Sequence, residues 1–184
     1  MSRLASVLGL SVLLVHSAIH AGEGQLEEGE HRIFLVDKSG ERIDIGAVMI
    51  TDKGTGYSLH VDHSGFSDYF LSMKEMKCLE GPELYCHIPY PYDHPTRLSS
   101  ADLSWLSHDL LFMFKSPKEF GANFWNGVFY NLEVVDGVIK GQAQAVDLNH
   151  LASPPDDLTV PPYGEYDRNE LDLNARWLPF IEIH

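Results

Sequence analysis

From residue 31 onward, short apolar runs alternate with polar positions and are separated by turn residues. Runs of β-branched, aromatic and aliphatic residues bounded by Gly, Asn, Asp and Pro are typical of antiparallel β-strands. The clearest hairpin turn is Asp136-Gly137, because this pair readily adopts the positive φ that a tight turn needs. The pattern predicts strands at residues 31–37, 43–50, 57–63, 66–72, 84–88, 109–115, 127–135, 138–148 and 177–183.

One short helix interrupts this β pattern. Ser99 or Ser100 can cap a segment at 101–106 that carries apolar residues on one face. The predicted fold is therefore mainly β, with residues 31–184 forming a single domain. An antiparallel β-barrel and a two-sheet β-sandwich both remain open, since closing and stacking are alternative ways to hide sheet edges.

Small residues line one face of the strand predicted at 138–148. Gly141, Ala143 and Ala145 alternate there with larger residues and therefore share a face of the strand. They leave room for large side chains of a facing sheet or for a ligand.

The N-terminal segment has a different pattern, typical of a secretory signal peptide. Arg3 precedes an apolar stretch at 4–15, and the segment that follows ends at Ala21, a small residue that suits signal peptidase. We expect residues 1–21 to be cleaved after Ala21, which predicts a periplasmic or secreted protein. Residues 22–30 are charged, Gly-rich and nearly free of apolar side chains, which predicts a flexible acidic arm.

Export changes how the two cysteines are interpreted. Cys78 and Cys86 flank the turn signal Gly81-Pro82 and would meet an oxidising compartment, so we expect a disulfide bond. Closing so short a loop stabilises a domain by about 2–3 kcal/mol. Metal ligation or redox catalysis by the pair is disfavoured, because the spacing is not C-x-x-C and no second cysteine pair exists.

The middle third of the chain resembles a family of exported bacterial proteins of unknown function. The resemblance is carried by the segments Phe70-Leu71-Ser72-Met73, Cys78-Leu79-Glu80-Gly81 and Cys86-His87-Ile88-Pro89-Tyr90-Pro91-Tyr92. It implies an exported protein of a Gram-negative bacterium. It supplies no catalytic residue.

Charge and motifs narrow the classes of function. With a net charge of −14 the chain repels phosphate backbones, and no basic stripe indicates nucleic-acid binding. No apolar run reaches the roughly 18 residues of a membrane-spanning helix. Phosphate-binding loops, the dinucleotide fingerprint and the G-x-S-x-G elbow are missing from the sequence, so enzymatic activity has no support and no cofactor is required.

The first candidate ligand-binding segment lies directly after the cysteine pair. Prolines stiffen this extended segment and display Tyr90, Tyr92, Asp93 and His94 at a fixed spacing, where they could line a pocket. The alternative is that Asp93 and His94 cap a turn while the tyrosines cover one end of the sheet.

A second candidate lies around Trp125, which follows Phe124 and precedes Asn126. An aromatic ring beside an amide side chain suits the face of a carbohydrate, so binding of a sugar or a lipid is one interpretation. Packing of Phe124, Trp125 and Phe129 in the core is the favoured alternative.

A divalent-metal site is the alternative from another functional class. His60 and Asp62 are two apart on a predicted strand and share a face, and His63 follows them. The simpler interpretation is the solvated face of a half-buried strand. The remaining histidines have no fixed ligand spacing, so we expect them to be scattered over the surface.

These observations predict an exported, non-enzymatic β-scaffold that binds a small molecule or a protein partner. The expected mouth of the site combines the segment from Tyr90 to His94 with Trp125. The alternative is a metal-binding protein or metal-dependent hydrolase that uses His60, Asp62 and another histidine.

Overall fold

The structure, a computed structural model, describes residues 26–184. The predicted signal peptide and its cleavage site lie outside the described residues. Within 26–184 the strands are β1 (Gly29–Val36), β2 (Arg42–Thr51), β3 (Gly56–Val61), β4 (Ser67–Phe70), β5 (Glu75–Glu80), β6 (Leu84–His87), β7 (Phe112–Lys115), β8 (Gly127–Val135), β9 (Val138–Val146) and β10 (Phe180–Ile183). The helix α1 spans Ser104–Asp109, and short 3-10 helices lie at His63–Gly65, Leu148–Ala152, Glu165–Asp167 and Leu173–Ala175.

All ten described strands form one antiparallel sheet. Their order is β3-β2-β1-β10-β9-β8-β7-β6-β5-β4, and the sheet curls into a half-barrel. The predicted mainly β class, with antiparallel strands and one short helix, is confirmed. Strands β3 and β4, at the two ends of the order, follow one another in the chain and are joined by the 3-10 turn at His63–Gly65.

The predicted strand list has one omission. β5 (Glu75–Glu80) was not predicted, because charged residues at both ends and Lys77 in the middle hide its inward-facing residues. The buried residues of this strand are Met76, Cys78 and Leu79, which are 8%, 0% and 5% exposed.

The predicted helix is displaced along the chain. It begins at Ser104 rather than at residue 101. The Asp102 carboxylate accepts hydrogen bonds from the Ser104 amide at 3.0 Å and the Ser104 hydroxyl at 2.6 Å, which holds a turn just before the helix. Neither Ser99 nor Ser100 is the cap, because the helix starts after them.

The N-terminal boundary of the domain also differs from the expected one. Residues 26–30, assigned from sequence to a flexible arm, belong to the folded domain. Leu26 is 7% exposed and joins the core, while β1 begins at Gly29. Leu26 lies beside the Gly54 turn, and Glu28 of the same segment accepts a hydrogen bond from the Lys53 amide of that turn.

A β-bulge lies between β1 and β2, where the register shifts at Ile33 and Phe34. Gly46 occupies the bulge with a φ of 132°. A Cβ atom there would overlap the carbonyl oxygen of His60 on β3. Glycine is therefore required for the backbones of β2 and β3 to approach this closely.

The buried apolar side chains form two clusters on opposite faces of the sheet, since the successive β8 residues Val128 and Phe129 belong to different clusters. The helix α1 packs against β8 and buries Leu106 completely. The space beside Gly141 was expected to receive a facing sheet or a ligand. It is filled by Ile181 and Leu132, since a Cβ atom added at Gly141 would lie 2.6 Å from each of these side chains. These two side chains come from neighbouring strands of the same sheet.

The predicted disulfide is confirmed. Cys78 on β5 lies directly opposite Cys86 on β6, with Cα atoms 3.9 Å apart, and both residues are fully buried. The bond ties together the hairpin that turns at Gly81-Pro82. No helix within residues 26–184 has the length and apolar character needed to cross a membrane.

Candidate functional site

A buried polar cluster forms around Asp109, the last residue of α1. Its carboxylate accepts a hydrogen bond from the Tyr57 hydroxyl at 2.7 Å and lies 2.9 Å from His94 Nε2. Burial raises the pKa of Asp109, although its contacts with Tyr57 and His94 act in the opposite direction. Burial and the neighbouring carboxylate also raise the pKa of Tyr57, so this phenol stays protonated. The cluster joins β3, α1 and the segment that precedes α1.

His94 has both ring nitrogens engaged. Nε2 faces the Asp109 carboxylate, and Nδ1 lies 3.1 Å from the Pro95 carbonyl oxygen. Its ring stacks on Trp105 with centroids 4.8 Å apart. A histidine acting as a general base needs a nitrogen that can reach a substrate. His94 therefore fastens its loop to α1.

A second histidine pair lies beside this cluster. His87 Nε2 lies 2.9 Å from the Asp109 carbonyl oxygen, which makes that nitrogen a donor. Nδ1 then accepts from His63 Nε2 at 3.1 Å, so the geometry fits a neutral His87. Burial lowers the pKa of His87 to about 4, in agreement with a neutral ring.

His108 is also buried and neutral. Its Nδ1 donates to the Ser104 carbonyl oxygen at 2.7 Å, and its Nε2 accepts from the Tyr163 amide at 3.1 Å. Burial lowers its pKa to about 4. The expectation of histidines scattered over the surface is therefore wrong for His87 and His108, which are 7% and 0% exposed. No sequence spacing distinguishes these two histidines from exposed ones, since each has at least one partner more than 20 residues away in the chain.

The predicted ligand-binding residues occupy different surroundings. Tyr90 is 7% exposed, and its hydroxyl has no hydrogen-bond partner within residues 26–184. Tyr92 donates to the Leu151 carbonyl oxygen at 2.8 Å, and Asp93 is exposed. Trp125 is 71% exposed, so the favoured expectation that it packs in the core is wrong. Within the described chain, no ring contact or hydrogen bond joins Trp125 to the Tyr90–His94 segment.

The predicted metal ligands His60, Asp62 and His63 do not form a common site. His60 is exposed on β3, and the Asp62 carboxylate accepts from the Ser64 amide at 2.9 Å. His63 faces His87. In the part of the chain from residue 26 onward, no three His, Cys, Asp or Glu side chains are grouped as a metal ion would require.

A further cleft lies elsewhere and was not predicted. It has a volume of about 560 Å³ and lies between the β5–β6 turn, the segment after β7 and the 3-10 helix that precedes β10. Its polar and aromatic lining includes Lys38, Phe114, Ser116, Asn126, Arg176 and Trp177. The lining residue Asn126 directly follows Trp125, a predicted site residue, in the sequence.

Arg176 dominates the chemistry of this cleft. Its guanidinium lies 3.5 Å above the centre of the Phe114 ring, and Nη2 contacts Glu83 Oε1 at 3.1 Å. Nε and Nη1 are buried and have no acceptor among residues 26–184. Buried donors without acceptors destabilise a protein, typically by about 1–3 kcal/mol. An acceptor brought by a ligand would offset that cost, and it reaches these buried atoms only when the cleft wall moves.

The three carboxylates of the cleft are already engaged. Asp37 accepts from the Ser39 and Glu41 amides at 2.7 and 2.9 Å. Glu119 accepts from the Ser116 amide at 3.0 Å. Glu83 uses one oxygen for Arg176 and the other for the Trp177 amide at 2.9 Å. The partners of Asp37 and Glu119 are neutral amides, so these two carboxylates still contribute negative charge to the cleft, and within residues 26–184 only Glu83 is paired with a cation.

Comparison with known proteins does not assign the chain to a family. No protein-family model matches it, and neither the curated proteins nor the solved structures provide a significant match.

Proposed function

We propose that this protein is an exported, non-enzymatic β-scaffold that binds a small ligand bearing a carboxylate. The ligand lies in the cleft beside Arg176, Lys38 and Trp177. The single observation that carries the proposal is the Arg176 guanidinium at the wall of this cleft, whose Nε and Nη1 lack acceptors among residues 26–184.

The free donors of Arg176 favour an anion. Nε and Nη1 lie on different edges of the guanidinium, so each can donate a separate charge-assisted hydrogen bond to an anionic oxygen. Stacking on Phe114 holds the guanidinium plane in one orientation, so little entropy is lost on binding. Lys38 Nζ, 2.5 Å from the Asn174 carbonyl oxygen, adds a second positive charge to the same cleft.

An apolar portion of the ligand has a place beside the anion. Trp177 lines the cleft and packs over Gly81, where a Cβ atom would overlap the indole ring. Clefts with an aromatic wall and a few convergent polar groups are typical small-molecule sites. We therefore expect an aryl or alkyl carboxylate rather than a simple inorganic anion.

Export is supported by the disulfide between Cys78 and Cys86, because such bonds persist in oxidising compartments. The leader over residues 1–21 and the periplasmic or secreted location remain part of this proposal. Native mass spectrometry of the protein expressed with its own leader tests both points. We expect a mature chain beginning at Gly22 and an organic adduct that is lost on denaturation.

A defined probe tests the cleft directly. Phenylacetate should shift the NMR resonance of the Trp177 indole N–H with a millimolar dissociation constant, while the neutral phenylacetamide should bind much more weakly. Arg176→Gln should weaken phenylacetate binding by about 10-fold, the value of one charged hydrogen-bonding contact.

Two matched variants control this experiment. Glu83→Gln removes the ion pair with Arg176 but keeps the guanidinium, so it should leave phenylacetate binding intact or stronger. Arg97→Gln removes a cation from a smaller cleft beside Trp105 and should have no effect. A bare native mass together with an unshifted Trp177 resonance would contradict the proposal.

A further inference from the structure

The cleft beside Arg176 presents negative groups as well as positive ones. Its charged lining residues are Lys38, Arg176, Asp37, Glu83 and Glu119. Glu83 is paired with the Arg176 guanidinium, whereas Asp37 and Glu119 have no ion-pair partner among residues 26–184. A ligand that carries only negative charge would be repelled by these two carboxylates, and the repulsion would weaken its binding.

Asp37 has one carboxylate oxygen left for a ligand. Its Oδ1 accepts hydrogen bonds from the Ser39 amide and hydroxyl, both at 2.7 Å, and from the Glu41 amide at 2.9 Å. Its Oδ2 makes no hydrogen bond within residues 26–184. The bond from the Ser39 hydroxyl, helped by backbone amides, lowers the pKa of Asp37, so this carboxylate is ionised at neutral pH. The turn therefore holds a charged acceptor in place.

Glu119 supplies a second acceptor. Its Oε2 accepts from the Ser116 amide at 3.0 Å, and its Oε1 makes no hydrogen bond in the described part of the chain. Lys115 and Lys118 belong to the same loop, but neither lies within ion-pair distance of this carboxylate. The Lys115 ammonium donates to the main-chain carbonyl oxygen of Glu119 instead. The Glu119 carboxylate thus remains open to a donor.

The segments that carry Asp37 and Arg176 are joined to each other. Lys38 Nζ lies 2.5 Å from the Asn174 carbonyl oxygen. Asp37 directly precedes Lys38, and Arg176 is two residues after Asn174. The cleft volume of about 560 Å³ lies within the range of about 300–1,000 Å³ that is usual for small-molecule pockets. One small molecule can therefore meet both Arg176 and Asp37.

We propose that the ligand of this cleft is an amino acid with an apolar side chain, bound as a zwitterion. Its carboxylate meets Arg176, its ammonium group donates to Asp37 and Glu119, and its side chain lies against Trp177. Such a ligand has no net charge, so a chain with a net charge of −14 does not repel it. This inference rests on the proposed carboxylate site and adds the ammonium group that the ligand carries.

Three probes that differ by one charged group test the inference on the full chain. L-phenylalanine carries both charges, 3-phenylpropanoate lacks the ammonium group, and phenethylamine lacks the carboxylate. Each probe is titrated at neutral pH while the NMR resonance of the Trp177 indole N–H reports binding. We expect phenylalanine to bind about 10-fold more tightly than either of the other two probes, because each of these has lost a charged hydrogen-bonding contact.

Asp37→Asn separates the ammonium contact from the turn. Asparagine keeps the acceptor Oδ1 and replaces Oδ2 by an amide, so phenylalanine should bind about 10-fold more weakly and 3-phenylpropanoate as tightly as before or more tightly. Asp157→Asn is the matched control. Asp157 Oδ1 accepts from the Thr159 amide at 2.8 Å and hydroxyl at 2.6 Å in the same kind of turn, but Asp157 does not line the cleft. Its replacement should change either affinity less than about twofold.

The outcomes distinguish this inference from the proposed function. Equal affinities for phenylalanine and 3-phenylpropanoate would overturn the zwitterion and leave the carboxylate site in place. A preference for phenylalanine that survives Asp37→Asn combined with Glu119→Gln would do the same. Phenethylamine binding as tightly as phenylalanine, or no binding by phenylacetate and all three probes, would overturn the carboxylate site as well.

Discussion

At the residue scale, Asp109 at the end of α1 has three polar partners. Its carboxylate meets Tyr57 and His94, and its carbonyl oxygen meets His87. Strand β3, the end of β6 and the loop after β6 are therefore all joined to α1 through one residue. His94 was identified from sequence as a residue of interest, whereas its partners Tyr57 and Asp109 were not.

Replacing Asp109 by Asn should destabilise the protein by about 1–3 kcal/mol, because an amide nitrogen would face donors that now meet carboxylate oxygens. Urea unfolding followed by circular dichroism measures the change. Asp93→Asn, at an exposed position in the neighbouring loop, should stay within about 0.5 kcal/mol of the parent. Equal stability of the two variants would show that the Asp109 contacts contribute nothing.

His87 and His108 should make stability depend on pH. Burial lowers each pKa from 6.5 to about 4, so the unfolded chain binds protons before the folded chain does. Stability is then full above about pH 7 and falls as pH drops through 6.5 toward 4. Between pH 7.5 and 5 each histidine should remove about 2 kcal/mol.

Urea titrations at several pH values between 7.5 and 5 measure this slope, and His60→Gln provides the matched control. His60 is exposed, so its removal should leave the slope unchanged. A free energy of unfolding that stays constant down to pH 5 would contradict neutral, buried histidines.

At the scale of elements, local pattern predicted well where alternation was regular and poorly where it was not. The hairpin of β8 and β9 turns at Asp136-Gly137, as predicted. Strand β5 was missed because its buried residues Met76, Cys78 and Leu79 lie between the charged residues Glu75, Lys77 and Glu80. The helix α1 was displaced because an Asp102 turn outcompeted the serine caps.

The bulge at Gly46 can be tested by adding a single methyl group. Gly46→Ala should destabilise the protein by about 2–4 kcal/mol, because φ is positive and the added methyl group would strike the β3 backbone. Gly65→Ala is the matched control, since a Cβ atom there would meet nothing within 4 Å. Thermal unfolding of the two variants makes the comparison, and a small loss at Gly46 would indicate that the bulge can relax.

At the scale of the whole molecule, the last strand holds the sheet together. β10 lies between β1 and β9, so the C-terminal residues bridge the N-terminal hairpins and the remainder of the sheet. Ile181 and Ile183 are 0% and 1% exposed. The sequence predicted a final strand, but its neighbours are set by pairing across almost the full length of the chain.

Removing residues 180–184 should abolish cooperative unfolding, because the two parts of the sheet then lose their shared strand. The milder Ile181→Ala should retain the fold and cost about 2–5 kcal/mol, the usual effect of truncating a buried aliphatic side chain. Urea unfolding measures both. A truncated chain with a parent-like transition would show that β1 and β9 pair without β10.

By itself, the sequence determined the mainly β class, most of the strands and the disulfide. These features depend on side-chain alternation, turn residues and cysteine spacing, all of which act over a few neighbouring positions. Only the tertiary structure decided the curled sheet, the Asp109 cluster and the Arg176 cleft. Each of these brings together residues from distant segments, and their meeting depends on strand order and register, which local pattern does not encode.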